Sequence, residues 1–359
     1  MGQFEIASAS KQSRLCVLLL WLVVAVFGTC VFWNSGAVVS RRTTATDGAN
    51  DNRNDLQAYR RIVDGVRDGG NYYDVARGIL PEYYQRYNSV FNWRLPTYAY
   101  VLAWLRSDAI IRAILMAIIA SGLILNLIGE RSLLGIIPAF LIAALQGIAF
   151  SWVFQDAIYA QELWAAALLT LSLGAWGAQY RWLAIVAGLG TVAFRELMLP
   201  YPVMAMVVCW WADRRREAVG WLMVLALFAT FFLWHRSQVQ SQVAQLPPLA
   251  GGSIDQWLKL GGMDFVLLTG RLSNPFLLGV PGGVVFGCLW LAILGLATIR
   301  GERGRAMLAT TLTYLGAFLI IGEPHNLYWG LLYAPLICIG FVHGLVALYQ
   351  LPTGRSLSQ

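Results

Sequence analysis

Long apolar runs are the feature that most constrains the fold of this chain. Several approach the roughly 20 residues that cross the hydrocarbon core of a bilayer as an α-helix, among them 109–128, 276–299 and 331–349. Hydrophobic residues make up 58% of the 359 positions and charged residues only 13%, whereas about 25% of the residues in a soluble domain are charged. The sequence therefore predicts an all-α integral membrane protein that forms a single polytopic domain over residues 1–359.

About ten such segments occur, and we predict that each forms a transmembrane helix. They lie near 15–33, 109–128, 133–150, 162–178, 182–194, 197–212, 221–235, 276–299, 306–322 and 331–349. The fifth and sixth are short, and Arg195, Glu196 and two prolines interrupt them. We interpret the first segment as an uncleaved anchor, because its apolar run is longer than the core of most signal peptides.

The short connections give an orientation. Basic residues such as Arg131, Arg181 and Arg300 recur in every second connection, while 155–161 and 323–329 carry neither lysine nor arginine. The positive-inside rule places the arginine side in the cytoplasm. We therefore predict a multi-pass protein of the cell (inner) membrane, with both termini in the cytoplasm.

Two long polar segments then lie outside the cytoplasm, at 34–97 and 237–275. In the second, glycine and proline pairs surround a short apolar stretch, which favours an amphipathic helix between flexible joints. Such a segment would close over an active site as a lid, and a plain surface loop fits the same pattern. The net charge of +7 suits membrane lipid head groups rather than nucleic acid, because the arginines stand at cytoplasmic ends of the predicted spans.

The first polar segment contains a helical pattern with Asp55 at its start. Apolar residues recur at helical spacing over 55–68, which predicts an amphipathic helix on the membrane surface. Asp55 has two interpretations, an N-terminal cap shared with Asn54 or a base that accepts a proton from an acceptor hydroxyl. The two are compatible, because a capped helix is a rigid support for a catalytic group.

Two adjacent charges, Arg195 and Glu196, lie inside apolar sequence. Ionisable groups in hydrocarbon are costly and are functional candidates by default. A site for an anionic ligand needs a cation, and Arg195 is the first candidate for that role. The alternatives are an internal ion pair or an arginine that extends to the membrane surface at the end of a span.

The sequence offers no recognisable cofactor site. It has no phosphate-binding Walker loop, no dinucleotide-binding glycine motif and no HExxH helix. All the cysteines fall inside predicted spans and form no CxxC pair: Cys16, Cys30, Cys209, Cys288 and Cys338. We therefore expect no metal site and no organic cofactor, with a divalent cation left open.

Several short motifs resemble the multi-spanning GT-C glycosyltransferases. They are Asn-Asp-Leu-Gln-Ala-Tyr at 54–59, Trp-Arg-Leu-Pro at 93–96, Asp-Ala-Ile-Tyr-Ala-Gln-Glu at 156–162, Phe-Arg-Glu-Leu-Met-Leu-Pro-Tyr at 194–201 and His-Asn-Leu-Tyr-Trp-Gly at 325–330. The resemblance implies a GT-C-like fold with a long first extracytoplasmic loop that contains amphipathic helices. It also implies sugar donors carried on a polyprenyl phosphate or diphosphate.

The resemblance assigns roles to particular residues. Asp55 takes the position of the catalytic acid in the first outward loop, with Asp51 as the competing position. The donor phosphate would be bound by Arg195, His325 and Arg94. The remaining substrate contacts would come from Tyr59, Asp156, Glu162, Glu196 and Asn326. Two of these have simpler interpretations, because Glu162 also suits a helix N-terminus and His325 also suits a solvated turn.

The expected function is an inverting glycosyl transfer, by a hexosyl- or pentosyltransferase, at the extracytoplasmic membrane face. The partners would be a polyprenyl-phosphate-linked sugar, membrane lipids and a glycan, lipid or protein acceptor. One alternative is a transporter or flippase for lipid-linked sugars, although no internal repeat of the transporter kind is visible. Another is a GT-C-like membrane protein without catalytic activity.

Overall fold

The computed structural model describes residues 55–84, 87–154, 156–247, 260–322 and 324–353. Every regular element within these ranges is helical, so the prediction of an all-α fold is confirmed. The α-helices are α1 Asp55–Arg67, α2 Tyr72–Tyr83, α3 Val90–Trp93, α4 Thr97–Trp104, α5 Asp108–Leu134, α6 Ile136–Ala149, α7 Gln161–Gly177, α8 Arg181–Phe194, α9 Pro200–Trp211, α10 Arg215–Val243, α11 Gly262–Ser273, α12 Gly282–Thr298, α13 Gly301–Ile320 and α14 Ala334–Thr353. Short 3₁₀ helices span Phe150–Phe154, Asp156–Tyr159, Glu196–Met198, Pro275–Leu277 and Pro324–Leu332.

Several helices have the length and composition to cross a membrane. Three qualify individually, Asp108–Leu134, Ile136–Val153 and Arg215–Val243, and a bent pair formed by Asn326–Leu332 and Ala334–Gln350 would make a fourth. A helix lies at each predicted span from 109 onward, and the predicted first span, 15–33, falls outside the described residues. The chain is therefore an all-helical protein with membrane-length helices, while the number of ten spans stays a prediction.

Small residues bring the long helices close together. A side chain at Gly174 of α7 would meet the Gly122 carbonyl oxygen of α5 at 2.7 Å. Asn126 uses this close approach, because its Nδ2 donates to the Thr170 carbonyl at 2.9 Å. Glycine at helix interfaces is typical of packing between membrane helices, where van der Waals contact between backbones replaces hydrophobic association.

The predicted amphipathic helix over 55–68 is present as α1, and its apolar face packs against other helices of the protein. Tyr59, Ile62 and Val63 are each at most 1% exposed, because they pack on α2 and α4. Tyr59 and Tyr98 meet edge to face with ring centroids 5.9 Å apart. Periodicity shows that a face is buried without showing what buries it, and the position of α1 at the membrane surface stays a prediction.

The second predicted loop, 237–275, is largely helical where it is described. Helix α10 continues to Val243, and α11 occupies much of the remainder. The predicted lid helix falls within 248–259 and lies outside the described residues. Helix α11 supports the 3₁₀ segment Pro324–Leu332, since Phe265 and Trp329 meet edge to face at 6.3 Å.

The helical conformation is interrupted after α8, where the chain itself is continuous. The helix ends at Phe194, a 3₁₀ turn covers Glu196–Met198, and α9 begins with Pro200 at its first position. Proline suits the first turn of a helix, where no backbone donor is needed. The break leaves Arg195 in extended conformation between two helices, with φ −144° and ψ 112°.

Candidate functional site

Asp55 receives a hydrogen bond on each carboxylate oxygen. The Tyr84 hydroxyl donates to Oδ1 at 2.9 Å, and the Tyr328 hydroxyl donates to Oδ2 at 2.9 Å. Asp55 begins α1, while its partners come from the end of α2 and from the 3₁₀ segment before α14. Its described partners are thus phenols from distant parts of the chain, and the proposed companion cap, Asn54, lies outside the described residues.

Tyr328 links Asp55 to a second charged residue, Arg94. Arg94 Nη2 lies 3.4 Å from the Tyr328 oxygen and donates to it. The Asn326 side-chain oxygen lies 3.3 Å from the same hydroxyl. A phenol has one proton to donate. The contact to the Asp55 carboxylate is the shorter of the two, so we assign that proton to the bond with Asp55.

Arg94 is buried, with 7% of its surface exposed, and its backbone is strained. Its φ of 54° and ψ of 163° lie in a region that residues with a side chain rarely adopt. The Tyr72 hydroxyl donates to the Arg94 carbonyl at 3.0 Å and helps to hold this conformation. Such strain costs about 1–3 kcal/mol and is concentrated at functional sites.

The described partners of the Arg94 guanidinium are neutral. Nε donates to the Tyr59 hydroxyl at 2.9 Å, and Nη1 donates to the Phe91 carbonyl at 2.8 Å. Burial raises the pKa of Tyr59 to about 12, although the Arg94 charge acts in the opposite direction. Tyr59 therefore stays protonated near neutral pH. Among the described residues, no carboxylate forms an ion pair with Arg94.

Arg195 has the opposite surroundings, because it lies between two glutamates. Its Nε is 2.7 Å from Glu162 Oε1, and its Nη1 bonds Glu196 Oε1. All three side chains are at most 6% exposed. The interpretation of Arg195 as a member of an internal ion pair is confirmed, and its role as a phosphate ligand stays a prediction.

The two glutamates keep acceptors that the described chain does not use. Glu162 Oε2 and Glu196 Oε2 are buried and lack a hydrogen-bond partner among the described residues. The 2.7 Å approach of Arg195 to Glu162 is an ion pair whose N–H is not aligned as a hydrogen bond. Buried carboxylate oxygens are normally bonded, so these two are available to a ligand hydroxyl or to water.

Tyr59 lies close enough to both groups of charges for each of them to act on its hydroxyl. The charges of Asp55, Arg94, Glu162 and Arg195 all act on its hydroxyl. The structure therefore brings together seven of the residues predicted from the sequence. They are Asp55, Tyr59, Arg94, Glu162, Arg195, Glu196 and Asn326.

The other two predicted residues are placed by their backbone alone. Asp156 begins the 3₁₀ helix Asp156–Tyr159, just before α7. His325 lies in Pro324–Leu332 beside Asn326. Their side chains are outside the described part of the structure.

Sequence reasoning missed both tyrosines that bind Asp55. Tyr328 lies three residues after His325 in a motif that had attracted attention for its histidine. Nothing about Tyr84 distinguishes it from the other tyrosines of the first polar segment. The signal for either role is the tertiary contact itself.

A second buried charged network was also missed, and it lies elsewhere in the helix bundle. Glu130 Oε1 is 2.6 Å from Arg303 Nη1, and Glu130 Oε2 is 2.8 Å from His343 Nε2. Arg303 Nε also donates to the Leu173 carbonyl at 3.0 Å. The network joins α5, α13 and α14, and it neutralises charges that would be costly inside a bundle.

Within the described ranges, no group of three or more His, Cys, Asp or Glu side chains is arranged to hold a metal ion. No model of a known family, curated protein or solved structure matches the chain. The class is therefore defined by fold and site alone: an all-helical protein with membrane-length helices and a buried polar site built around Asp55 and Arg94.

Proposed function

We propose that this chain is an inverting glycosyltransferase of the cell membrane. It would move a sugar from a polyprenyl-phosphate donor to an acceptor hydroxyl at the extracytoplasmic face. The observation that carries the proposal is Arg94, a buried cation in a strained backbone conformation whose described partners are all neutral. A buried charge without an ionic partner is costly, and such an arrangement is typical of a site that receives an anion.

The neighbouring carboxylate supplies the second requirement of the reaction. A carboxylate has about four lone-pair positions, so Asp55 has room for an acceptor hydroxyl beside Tyr84 and Tyr328. Asp55 takes the hydroxyl proton while the acceptor oxygen forms a bond to the anomeric carbon. The bond from that carbon to the phosphate oxygen breaks, and its electron pair leaves with the phosphate. Attack opposite the leaving group inverts the anomeric centre.

Arg94 stabilises the charge that develops on the leaving phosphate. A guanidinium binds phosphate oxygens as a fork, and a preorganised charge in a water-poor site is effective because little reorganisation is needed. The unused oxygens of Glu162 and Glu196 would accept hydrogen bonds from sugar hydroxyls. No nucleotide takes part, because the activated bond arrives with the lipid.

The membrane-length helices suit a donor carried on a lipid. Helix α10 has a shallow apolar groove of 440 Å³ lined by Ala226, Leu227, Thr230, Phe231 and Trp234. An isoprenoid chain is apolar and flexible, and it would lie in such a groove while its phosphate reaches the polar site.

The alternative of transport or flipping is favoured by the network of Glu130, Arg303 and His343. Ionisable residues buried between membrane helices also mark transport pathways. The two functions predict different sensitivities. Transfer should depend on Asp55 and Arg94, whereas flipping should depend on Glu130.

The deciding experiment uses the purified full chain in detergent or lipid discs with a panel of polyprenyl-phosphate sugars. Release of lipid phosphate and formation of glycosylated acceptor are measured for the wild type, Asp55→Asn and Glu130→Gln. Transfer lost with Asp55→Asn supports the proposal. The flippase is supported if labelled lipid crosses the vesicle membrane, Glu130→Gln abolishes that movement, and no sugar is transferred to the acceptor. Donor binding without either activity would indicate a non-catalytic protein.

A further inference from the structure

A polar pocket that is distinct from the Asp55 site lies at the C-terminal end of α1, whereas Asp55 lies at the N-terminal end. Its volume is 640 Å³, and it is lined by Val66, Arg67, Gly69, Gly70, Tyr100, Ala103, Trp104 and Arg106. Because a helix rises about 1.5 Å per residue, Arg67 lies roughly 18 Å along the axis from Asp55. This pocket is therefore separate from the proposed transfer site. It is a polar cavity with two arginines and no acidic residue among its lining residues.

Arg67 has only part of its hydrogen-bonding capacity used. Its Nη1 bonds Asp64 Oδ1 at 2.6 Å, while Nε and Nη2 are buried without a hydrogen-bond partner among the described residues. The Arg67 side chain also lies within hydrogen-bonding reach of Tyr159, whose own hydroxyl donates to Asp108 at 2.6 Å. Unmet guanidinium donors favour an oxygen-rich anion.

Arg106 occupies a position that normally suits glycine. It lies two residues after Trp104, the last residue of α4, with φ at 62°, and helices commonly end with glycine in this left-handed conformation. An arginine here is strained, and no ion pair with a described carboxylate compensates for the strain. A strained arginine that lines a pocket is typical of a site that binds an anionic ligand.

The position of the pocket narrows the class of ligand. Helix α5, which is long and apolar enough to span a membrane, begins at Asp108, two residues after Arg106. The pocket thus lies at one end of that helix, and a membrane span formed by α5 would put it at the depth of the lipid head groups. Trp104, which is 79% exposed, has the amphipathic ring that proteins place at this depth.

We propose that this pocket binds a phosphate group at the membrane surface, with Arg67 and Arg106 as its two cations. Phosphate is the anion that lipid head groups carry at this depth, and arginine forks match its oxygens. The phosphate of an anionic lipid and free phosphate share this chemistry. The site does not depend on the proposed transferase function, because its occupancy is measured without a sugar donor.

The test titrates the purified full chain with short-chain phosphatidylglycerol, with phosphatidylcholine of the same acyl chains, and with inorganic phosphate. Arg67→Gln and Arg106→Asn are compared with Arg131→Gln, which removes the same charge from the opposite end of α5. Asparagine tolerates the left-handed conformation, so Arg106→Asn should keep or raise thermal stability while it removes the cation. This variant separates loss of binding from loss of folding.

We expect wild type and Arg131→Gln to bind phosphatidylglycerol more tightly than phosphatidylcholine. Each pocket variant should weaken phosphatidylglycerol binding by roughly tenfold, because a charged hydrogen bond is lost. If millimolar phosphate competes with phosphatidylglycerol and Trp104→Ala lowers the affinity for that lipid, the bound phosphate group is that of a lipid head group. Phosphate binding without lipid preference, and without an effect of Trp104→Ala, would identify free phosphate. Equal binding of both lipids with no phosphate binding, or an equal loss in Arg131→Gln, would overturn the proposal.

Discussion

At the residue scale, the tertiary contacts of Asp55 bear on its two possible roles at the start of α1, an N-terminal cap or a proton-accepting base. A cap is defined by bonds from nearby backbone amides, whereas both described partners of Asp55 are tyrosine hydroxyls from distant segments. Arg94 and Arg195 differ in the same way. Both are buried, but Arg195 lies between two carboxylates and Arg94 has neutral described partners.

The first prediction replaces Asp55 by asparagine. Asparagine can accept a hydrogen bond from one tyrosine and donate to the other, so the free energy of unfolding should fall by no more than about 1 kcal/mol. Loss of a general base should lower the transfer rate by about 10² to 10⁴. Thermal unfolding and transfer are measured on one preparation, with exposed Asp68→Asn as the control. A stable Asp55→Asn protein with a near wild-type rate would return Asp55 to a structural role.

The second prediction concerns the shape of the cation at position 94. Arg94→Lys keeps the charge but loses the planar fork, so donor binding should weaken by about 1.5–3 kcal/mol, or roughly ten- to a hundredfold. Arg61→Lys is the control, because Arg61 forms an exposed ion pair with Glu82 in the same polar segment of the chain. Exposed pairs contribute about 0–1 kcal/mol. Equal losses in the two variants would remove Arg94 from the donor site.

At the scale of elements, the close approach of α12 and α14 depends on glycine. A side chain at Gly295 would collide with the Gly340 carbonyl, and one at Gly344 would meet α12 at Leu291. Helix α14 continues from the 3₁₀ segment that carries Tyr328, so a displacement of α14 would also displace Tyr328. The packing of these two helices therefore positions one partner of Asp55.

The third prediction tests that packing. Gly295→Ala should destabilise the protein by about 1–3 kcal/mol, because the added methyl group overpacks a backbone contact. Gly287→Ala on the same helix is the matched control, since a side chain there meets nothing within 4 Å. We expect its effect to stay within about 0.5 kcal/mol. Thermal unfolding of both proteins in the same detergent gives the comparison, and similar melting shifts would contradict the close-packing explanation.

For the whole molecule, the asymmetry of arginine predicts which side of the membrane holds the site. Asp68 follows α1 in the segment that we predict to lie outside the cytoplasm, and Asp213 precedes α10 beside a cluster of arginines. Both are exposed in the structure, so each offers a position for labelling. The orientation decides whether substrates reach the Asp55 site from outside the cell.

The fourth prediction follows from that orientation. Asp68→Cys should react with a membrane-impermeant thiol reagent in intact cells, and Asp213→Cys should react only after the membrane is opened. The parent protein gives the background from its own cysteines. Labelling of Asp213→Cys in intact cells would reverse the orientation and place the site in the cytoplasm.

The sequence by itself determined the class of fold and predicted a helix at the approximate position of each apolar segment from residue 109 onward, although it did not predict α11. Apolar runs of membrane length leave few alternatives, because the period and length of a run are local properties. It also identified seven residues, Tyr59 among them, that the structure brings together. Buried charges and motif residues are visible in sequence because they are improbable where they stand.

Only the tertiary structure decided how these residues pair. It placed the apolar face of α1 against α2 and α4, gave Arg195 two carboxylate partners, and brought Tyr84 and Tyr328 to Asp55. Asp55 and Tyr328 are 273 positions apart in the chain. No local pattern encodes such a contact, because it depends on how the helices between the two residues pack. The same packing gives Arg195 two carboxylate partners and leaves Arg94 with neutral described partners.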